Sequence, residues 1–198
     1  AEPTTENKTP KTTQNPKTDA QEKKFLRPEV FITIDRNDWQ LHPDVFAQLN
    51  QGRWGGPAGH TVDLFATQRN RLIYRYCSLD HDDRSAICHN AFTWDWHLEN
   101  GWANPPWEMI PQVLAKACAD GATLTLIAPV WKTSTWHQHL LSMLVDYPVL
   151  LRHSEDLFAR QGARDDGSGI CNSPPWPYTA AWHISGAIRL QERVITHL

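Results

Sequence analysis

Residues 122–128, Ala-Thr-Leu-Thr-Leu-Ile-Ala, form a near-continuous apolar run of strand length with helical periodicity on either side. A strand with one face in water alternates apolar and polar side chains; a strand covered on both faces does not. The run therefore predicts a central strand sandwiched between layers. Before it, Met109, Ile110, Val113, Leu114 and Ala117 recur at helical spacing, and Gly121 is a natural terminator. After it, the pattern predicts a helix over 134–145 and a strand at 149–151. Upstream, Pro43 suits the first position of a helix carrying Val45, Phe46 and Leu49 on one side, closed by the glycine-rich run 52–57. Residues 61–65 read as a buried strand ending at a turn, and 72–77 as a second strand. Strands alternating with helices predict an α/β fold, a three-layer, mostly parallel Rossmann-like sheet.

A chain of 198 residues that is 40% hydrophobic has material for one ordinary domain plus tails. Residues 1–24 carry no large apolar side chain and cannot offset their ordering entropy, so a disordered linker is expected over 1–27. The α/β domain is assigned to 28–158, with a possible short first strand at 30–34. Residues 159–198 read as an irregular extension: flexible over 162–169, extended over 173–177, and ending in a helix over 184–198. The net charge of −3 excludes a general polyanion-binding surface and restricts any DNA contact to a weak or local patch. The four cysteines contain no C-x-x-C pair, which predicts free thiols in a reducing, intracellular compartment, cytoplasm or nucleus. No apolar run approaches the ~20 residues that span a bilayer, so no membrane partner is expected. The first residue is not Met, which hints at a piece of a longer chain.

Chemistry concentrates at Asn104-Pro105-Pro106-Trp107, after the strand-like Gly101-Trp102-Ala103 and at the start of a helix. Two prolines remove two N–H donors and leave their carbonyls to accept from something else. The Asn104 side chain adds an acceptor, and Trp107 offers a face for stacking. Two acceptors beside an aromatic plane suit the exocyclic amino group of a base taken out of its stack. The pattern resembles the corner motif of amino-group methyltransferases, with Asn and Trp at its variable positions. Its ordinary structural reading is a proline-rich strand-to-helix turn. Position favours chemistry, because ligands of parallel α/β sheets sit at the carboxyl ends of strands. Ser173-Pro174-Pro175-Trp176 matches the same short pattern with no strand before it, and is read as structure alone.

Upstream, Asp63-Leu64-Phe65-Ala66 ends the first clear strand. An acidic side chain there can accept from the ammonium of a bound amino acid; the ordinary reading is a cap on the next turn. No G-x-G follows, only Thr67-Gln68-Arg69-Asn70. His137 and His139 lie two apart on a predicted helix and point to different faces, and Cys88-His89 has no second pair at zinc spacing. Asp80, Asp82 and Asp83 read as a solvated acidic loop. No metal is expected, and no nucleophile elbow surrounds Ser134, Ser168 or Ser185.

The ordered series carries more than any single motif. It runs from Trp39, Leu41 and Phe46 through Val62-Asp63-Leu64-Phe65-Ala66 with Asn70, then Tyr76-x-Ser78, Asn90-Ala91-Phe92 and Trp96. Asn104-Pro105-Pro106-Trp107, Ala128-Pro129-x-Trp131, Trp136 and Leu157 complete it. This series resembles the domain that follows the reverse transcriptase–RNase H region in DIRS-type tyrosine-recombinase retrotransposons, itself similar to phage-type Dam adenine-N6 methyltransferases. Residues 178–186 also look like the segment leading toward the recombinase of such elements. The resemblance implies a methyltransferase-type sheet, S-adenosylmethionine as cofactor, and the other domains of a Pol polyprotein as partners. It further implies that Asn104, Pro105, Pro106 and Trp107 form the catalytic corner. Asp63, Phe65 and Ala66 would form the cofactor site. Two alternatives remain: a methyltransferase fold without its chemistry, serving as a structural or nucleic-acid-holding module, and a protein-binding domain using exposed tryptophans.

Overall fold

The computed structural model describes residues 39–52, 54–154, 157–160 and 178–187. The elements are β1 (Trp39–Leu41), α1 (Pro43–Gln51), β2 (Val62–Asp63), β3 (Cys77–Ser78), β4 (Cys88–His89) and β5 (Asn100–Ala103), then α2 (Ile110–Asp120) and β6 (Thr123–Pro129). They continue with α3 (His137–Ser142), β7 (Val149–Leu151), β8 (Phe158–Arg160) and β9 (Thr179–Ser185). Short 3-10 turns at Ala91–Thr93 and Trp107–Met109 precede β5 and α2.

The apolar run becomes β6, the middle of a five-stranded sheet ordered β2-β5-β6-β9-β7. Its alternate residues serve two cores, as the period of two requires. Leu124, Leu126 and Ala128 pack in one cluster with Ile110, Val113, Leu114 and Ala117 of α2 and Leu140 of α3. Ile127 faces the other way, into a cluster with Phe46 of α1, Leu41, Trp102 and Phe158. Both faces of the sheet are covered, so β6 carries no charged residue and the buried Thr125 on the Ile127 face bonds the His60 ring. α2 stops where Gly121 takes a left-handed conformation (φ 61°) and its N–H bonds the last turn, so its start and end both follow the sequence signals.

The sheet is mixed. β2, β5 and β6 are parallel, whereas β9 runs antiparallel to both β6 and β7. This corrects the helix expected over 184–198 at its start and the irregular extension at 179–185. Thr179–Ser185 is a seven-residue strand paired along its whole length with β6. Ala180, Trp182 and Ile184 enter the α2-side core while Ala181 enters the other. With small residues on both faces, it lacks the alternation that would have marked it. The Trp182 indole N–H also donates to the Ala128 carbonyl at 3.1 Å.

The strand expected over 72–77 is a bend over 72–75 that pairs only from Tyr76; at its start the Leu72 N–H donates to the Asp63 carboxylate at 3.1 Å. α3 is shorter than the 134–145 expected. The first strand expected at 30–34 and the Ser173-Pro174-Pro175-Trp176 segment lie outside the described residues.

Candidate active site

The chain leaves β2 outward: Asp63 bridges in parallel to Tyr76, and the Ala66 N–H bonds the Cys77 carbonyl at 3.1 Å. β5 lies on the other side of β2. Successive strands therefore depart in opposite directions at the carboxyl ends of β2 and β5, and a crevice opens where they part. That switch point is the usual ligand position of open α/β sheets. Asp63 and Asn104 both belong to this rim, since β2 and β5 are parallel with Asp63 opposite Trp102.

Two cavities adjoin there. The first, about 490 Å³, is lined by Phe65, Ala66 and Asn70 from the β2 side, Asp80 beyond β3, and Asn90 and Phe92. The second, about 600 Å³, is lined by Pro105, Trp107, Glu108, Trp131, Ser134 and Trp136. Trp39, Asn104 and Pro106 line both and form a common wall. Both volumes suit a small organic ligand or a single base. A third cavity of about 660 Å³ lies between α1 and β7, away from the crevice.

The common wall has a defined polarity. Asn104 donates from Nδ2 to the Trp39 carbonyl at 2.9 Å, which fixes the amide and leaves Oδ1 as its acceptor. The Pro106 carbonyl accepts the Met109 N–H at 2.9 Å and is occupied by the turn that starts α2. Of the two proline carbonyls expected to be free, only that of Pro105 remains so in the described residues. Trp107 touches Trp131 edge to face in the lining of the second cavity, with ring centroids 4.8 Å apart.

The first cavity has an aromatic side. Phe65 packs against Phe92 with centroids 5.5 Å apart. Asn90 sits at φ 75°, the one non-glycine residue with positive φ among those described, and its side chain accepts the Phe92 N–H at 3.1 Å. Strained conformations of this kind concentrate at ligand sites. Ala66, with the smallest side chain, leaves room beside them.

Asp63 is placed differently from its two neighbours. It is 3% exposed, lies outside the cavity lining, and spends its carboxylate on the backbone N–H groups of Leu72 and Phe65. Burial pushes its pKa up to about 7 against those two hydrogen bonds. It holds the loop that carries Phe65 and Ala66 instead of facing the cavity. The acidic group that does line it is Asp80, two residues past β3. Its Oδ1 accepts the Asp82 N–H at 2.9 Å. Sequence reasoning placed Asp80 in a solvated loop and did not single out Trp39 or Trp131 as site residues. The signal that finds Asp80 is its offset beyond the neighbouring strand. An acidic residue about 20 positions after the first strand end serves ribose hydroxyls in dinucleotide folds.

Among the described residues, no group of three His, Cys, Asp or Glu side chains is placed to hold a metal ion, and no helix is long and apolar enough to cross a membrane. No protein-family model matches the sequence, and no curated protein matches it.

Proposed function

We propose that the chain is an S-adenosylmethionine-dependent adenine-N6 methyltransferase-like domain of a DIRS-type retrotransposon polyprotein, with a Rossmann-like methyltransferase-type three-layer sheet. The observation that carries this reading is the pair of cavities sharing the wall Trp39, Asn104 and Pro106. A group-transfer site needs two compartments that meet at the atoms exchanged, and the sheet's switch point supplies both.

The first cavity fits the cofactor: Phe65, Ala66 and Phe92 give an apolar slot, Asp80 an acceptor for a ribose diol, and Asn70 and Asn90 polar rims. When bound, S-adenosylmethionine supplies an electrophilic sulfonium methyl. The second cavity takes the acceptor base. Asn104 Oδ1 and the Pro105 carbonyl accept from its exocyclic amine, which enriches the nitrogen lone pair and orients it toward the common wall. Trp107 stacks on the ring. Holding the two reactants in contact contributes much of the acceleration in such transfers. Asp63 acts as a positioning residue, ordering residues 65–72 through its backbone hydrogen bonds.

Calorimetric titration with S-adenosylmethionine, followed by mass-spectrometric detection of N6-methyladenine in adenine-containing DNA, tests this. We expect donor binding in the wild type. Asn104→Ala should bind donor but lose at least about 100-fold in methyl transfer, the scale of one transition-state acceptor or donor. No binding at millimolar donor would sink the reading. The alternative, a methyltransferase fold kept as a structural or nucleic-acid-holding module, would then stand. One observation favours that alternative: the loop after Asp63 carries Thr67, Gln68 and Arg69 where a close backbone approach to a cofactor would favour glycine.

A further inference from the structure

At the other end of the sheet from the crevice, three ligand-bearing side chains meet between two helices. Cys118 sits in the last turn of α2, His139 lies on α3, and Met143 closes α3 one turn later. Residues four apart share one face of a helix, so His139 and Met143 address the same neighbour. Cys118 Sγ is 3.6 Å from His139 Nε2, and the Cys118 thiol donates to Met143 Sδ at 3.7 Å. Packing holds this arrangement: Ala117, Leu140 and Met143 belong to one buried cluster, and the Ser185 N–H donates to the Met143 carbonyl at 2.9 Å. Ser185 pairs with Thr123, the first residue of β6, which places the trio at the amino end of that strand.

The chemistry of the trio is selective. Thiolate and thioether are soft donors, and together with an imidazole they suit copper(I). The spacing fits as well. Bonds of about 2.3 Å to sulfur and about 2.0 Å to nitrogen, meeting at about 115°, set ligand atoms about 3.6–3.9 Å apart. Both separations at Cys118 match that range. The competing use of a Cys–His contact is a reactive thiolate, which needs a lowered thiol pKa. Cys118 is exposed as a residue, yet partial burial of its thiol pushes the pKa up, so the group waits as a protonated thiol. Cys118 and His139 reach solvent, whereas Met143 is 1% exposed. An ion can therefore enter from water and find its third ligand in the core.

We propose that Cys118, His139 and Met143 form a three-coordinate copper(I) site that ties α3 to the last turn of α2. The ion displaces the thiol proton, which leaves to solvent, so a copper–sulfur bond replaces the S–H bond and no electron is transferred. His139 Nε2 and Met143 Sδ each add a lone pair. The site stands apart from the methyltransferase-like reading, since none of its three residues lines either cavity of the crevice. No local motif announces it: Cys118 and His139 are 21 positions apart and meet through the packing of α2 on α3.

The test is anaerobic titration of the whole chain with copper(I) against a chromophoric copper(I) chelator, followed by X-ray absorption at the copper edge. The wild type should take up copper(I), with one nitrogen neighbour at about 2.0 Å and two sulfurs at about 2.3 Å. Met143→Leu keeps the volume of the core and removes only the thioether. Its Kd for copper(I) should rise at least about tenfold, the least that loss of mere outer-shell support costs. Its Kd for zinc(II), which draws on thiolate and imidazole alone, should stay unchanged. Cys118→Ser, at an exposed position, should lose one equivalent of copper(I). Undiminished uptake in Cys118→Ser overturns the proposal and points instead to Cys77 and Cys88, which face each other across β3 and β4. No uptake by the wild type, an equal copper(I) Kd in Met143→Leu, or a spectrum without two sulfur neighbours overturns it as well.

Discussion

Two buried ionisable side chains sit on opposite sides of the same pH window. Asp63 has its pKa raised by burial from 3.8 to about 7, so between those values the folded state holds a proton that the unfolded state has lost. Stability therefore falls as pH rises through that range. His60 has its pKa lowered from 6.5 to about 4, first by burial and then by His183. Below 6.5 the unfolded state takes up a proton that the folded state refuses, so this group makes stability fall as pH drops toward 4. The folded His60 ring is locked in place, with Nδ1 2.8 Å from Asn50 Oδ1 and Nε2 2.8 Å from Thr125 Oγ1. The two slopes oppose each other, and the wild type should show a shallow profile between pH 4.5 and 6.5. Asp63→Asn keeps an acceptor for the Leu72 N–H and removes one slope. Its stability should rise with pH across that window, and its gain over wild type should grow toward pH 8 to a few kcal/mol at most. Urea unfolding at half-unit steps of pH measures both curves; parallel curves would mean that Asp63 does not titrate in this window.

Elements of this chain are legible in the sequence where one partner defines them. α2 declares its apolar stripe, and Gly121 its end, because both depend on residues close in sequence. β6 declares itself by a near-continuous apolar run broken only by threonines. β9 does not, although it is equally long and equally buried: Ala180 and Ala181 carry little hydrophobic signal, and its partners in β6, from Thr179↔Pro129 to Ser185↔Thr123, lie far upstream. Residues 72–75 failed for the opposite reason. Their composition favours a strand, but the Leu72 N–H bonds the Asp63 carboxylate, and pairing with β2 begins only where the Arg75 carbonyl accepts the Asp63 N–H. Where β9 ends, Gly186 donates its N–H to the Ala122 carbonyl at 2.8 Å, and a Cβ there would lie 1.9 Å from the Ala117 carbonyl oxygen. That oxygen belongs to the last turn of α2 and cannot swing aside. Gly186→Ala should therefore force β9 and α2 apart and destabilise the fold by about 1–3 kcal/mol, the usual cost of overpacking. Denaturant midpoints of wild type and variant measure it; an unchanged midpoint would mean that the junction is free to yield.

For the molecule as a whole, half of the candidate site was legible in the sequence and half was not. Asn104, Pro105 and Trp107 stand in one short motif, and the sequence placed them at a strand end where the structure has them. The other half is assembled from distant segments: Trp39 of β1 lines both cavities, Asp80 beyond β3 the first and Trp131 beyond β6 the second. No local pattern encodes such an assembly. It also means that the two cavities report on different parts of the chain. Hydrogen exchange can therefore distinguish a working donor site from an inert scaffold. In the free protein, the amides of β6 should be the slowest, since its register is filled on both sides by β5 and β9 and both core clusters cover it. The two-residue pair β3–β4, flanked by exposed Leu79 and Ile87, should exchange early. Saturating S-adenosylmethionine should add protection over 65–67, 78–80 and 90–92, which line the first cavity, by a factor that grows with ligand excess. Residues 131–136, which line only the second, should stay near their free rates until an adenine strand is added. Protection arriving at 131–136 with the donor alone would reverse the assignment of the two cavities. No change anywhere would leave the Asn104 corner as a turn that kept its shape without its chemistry.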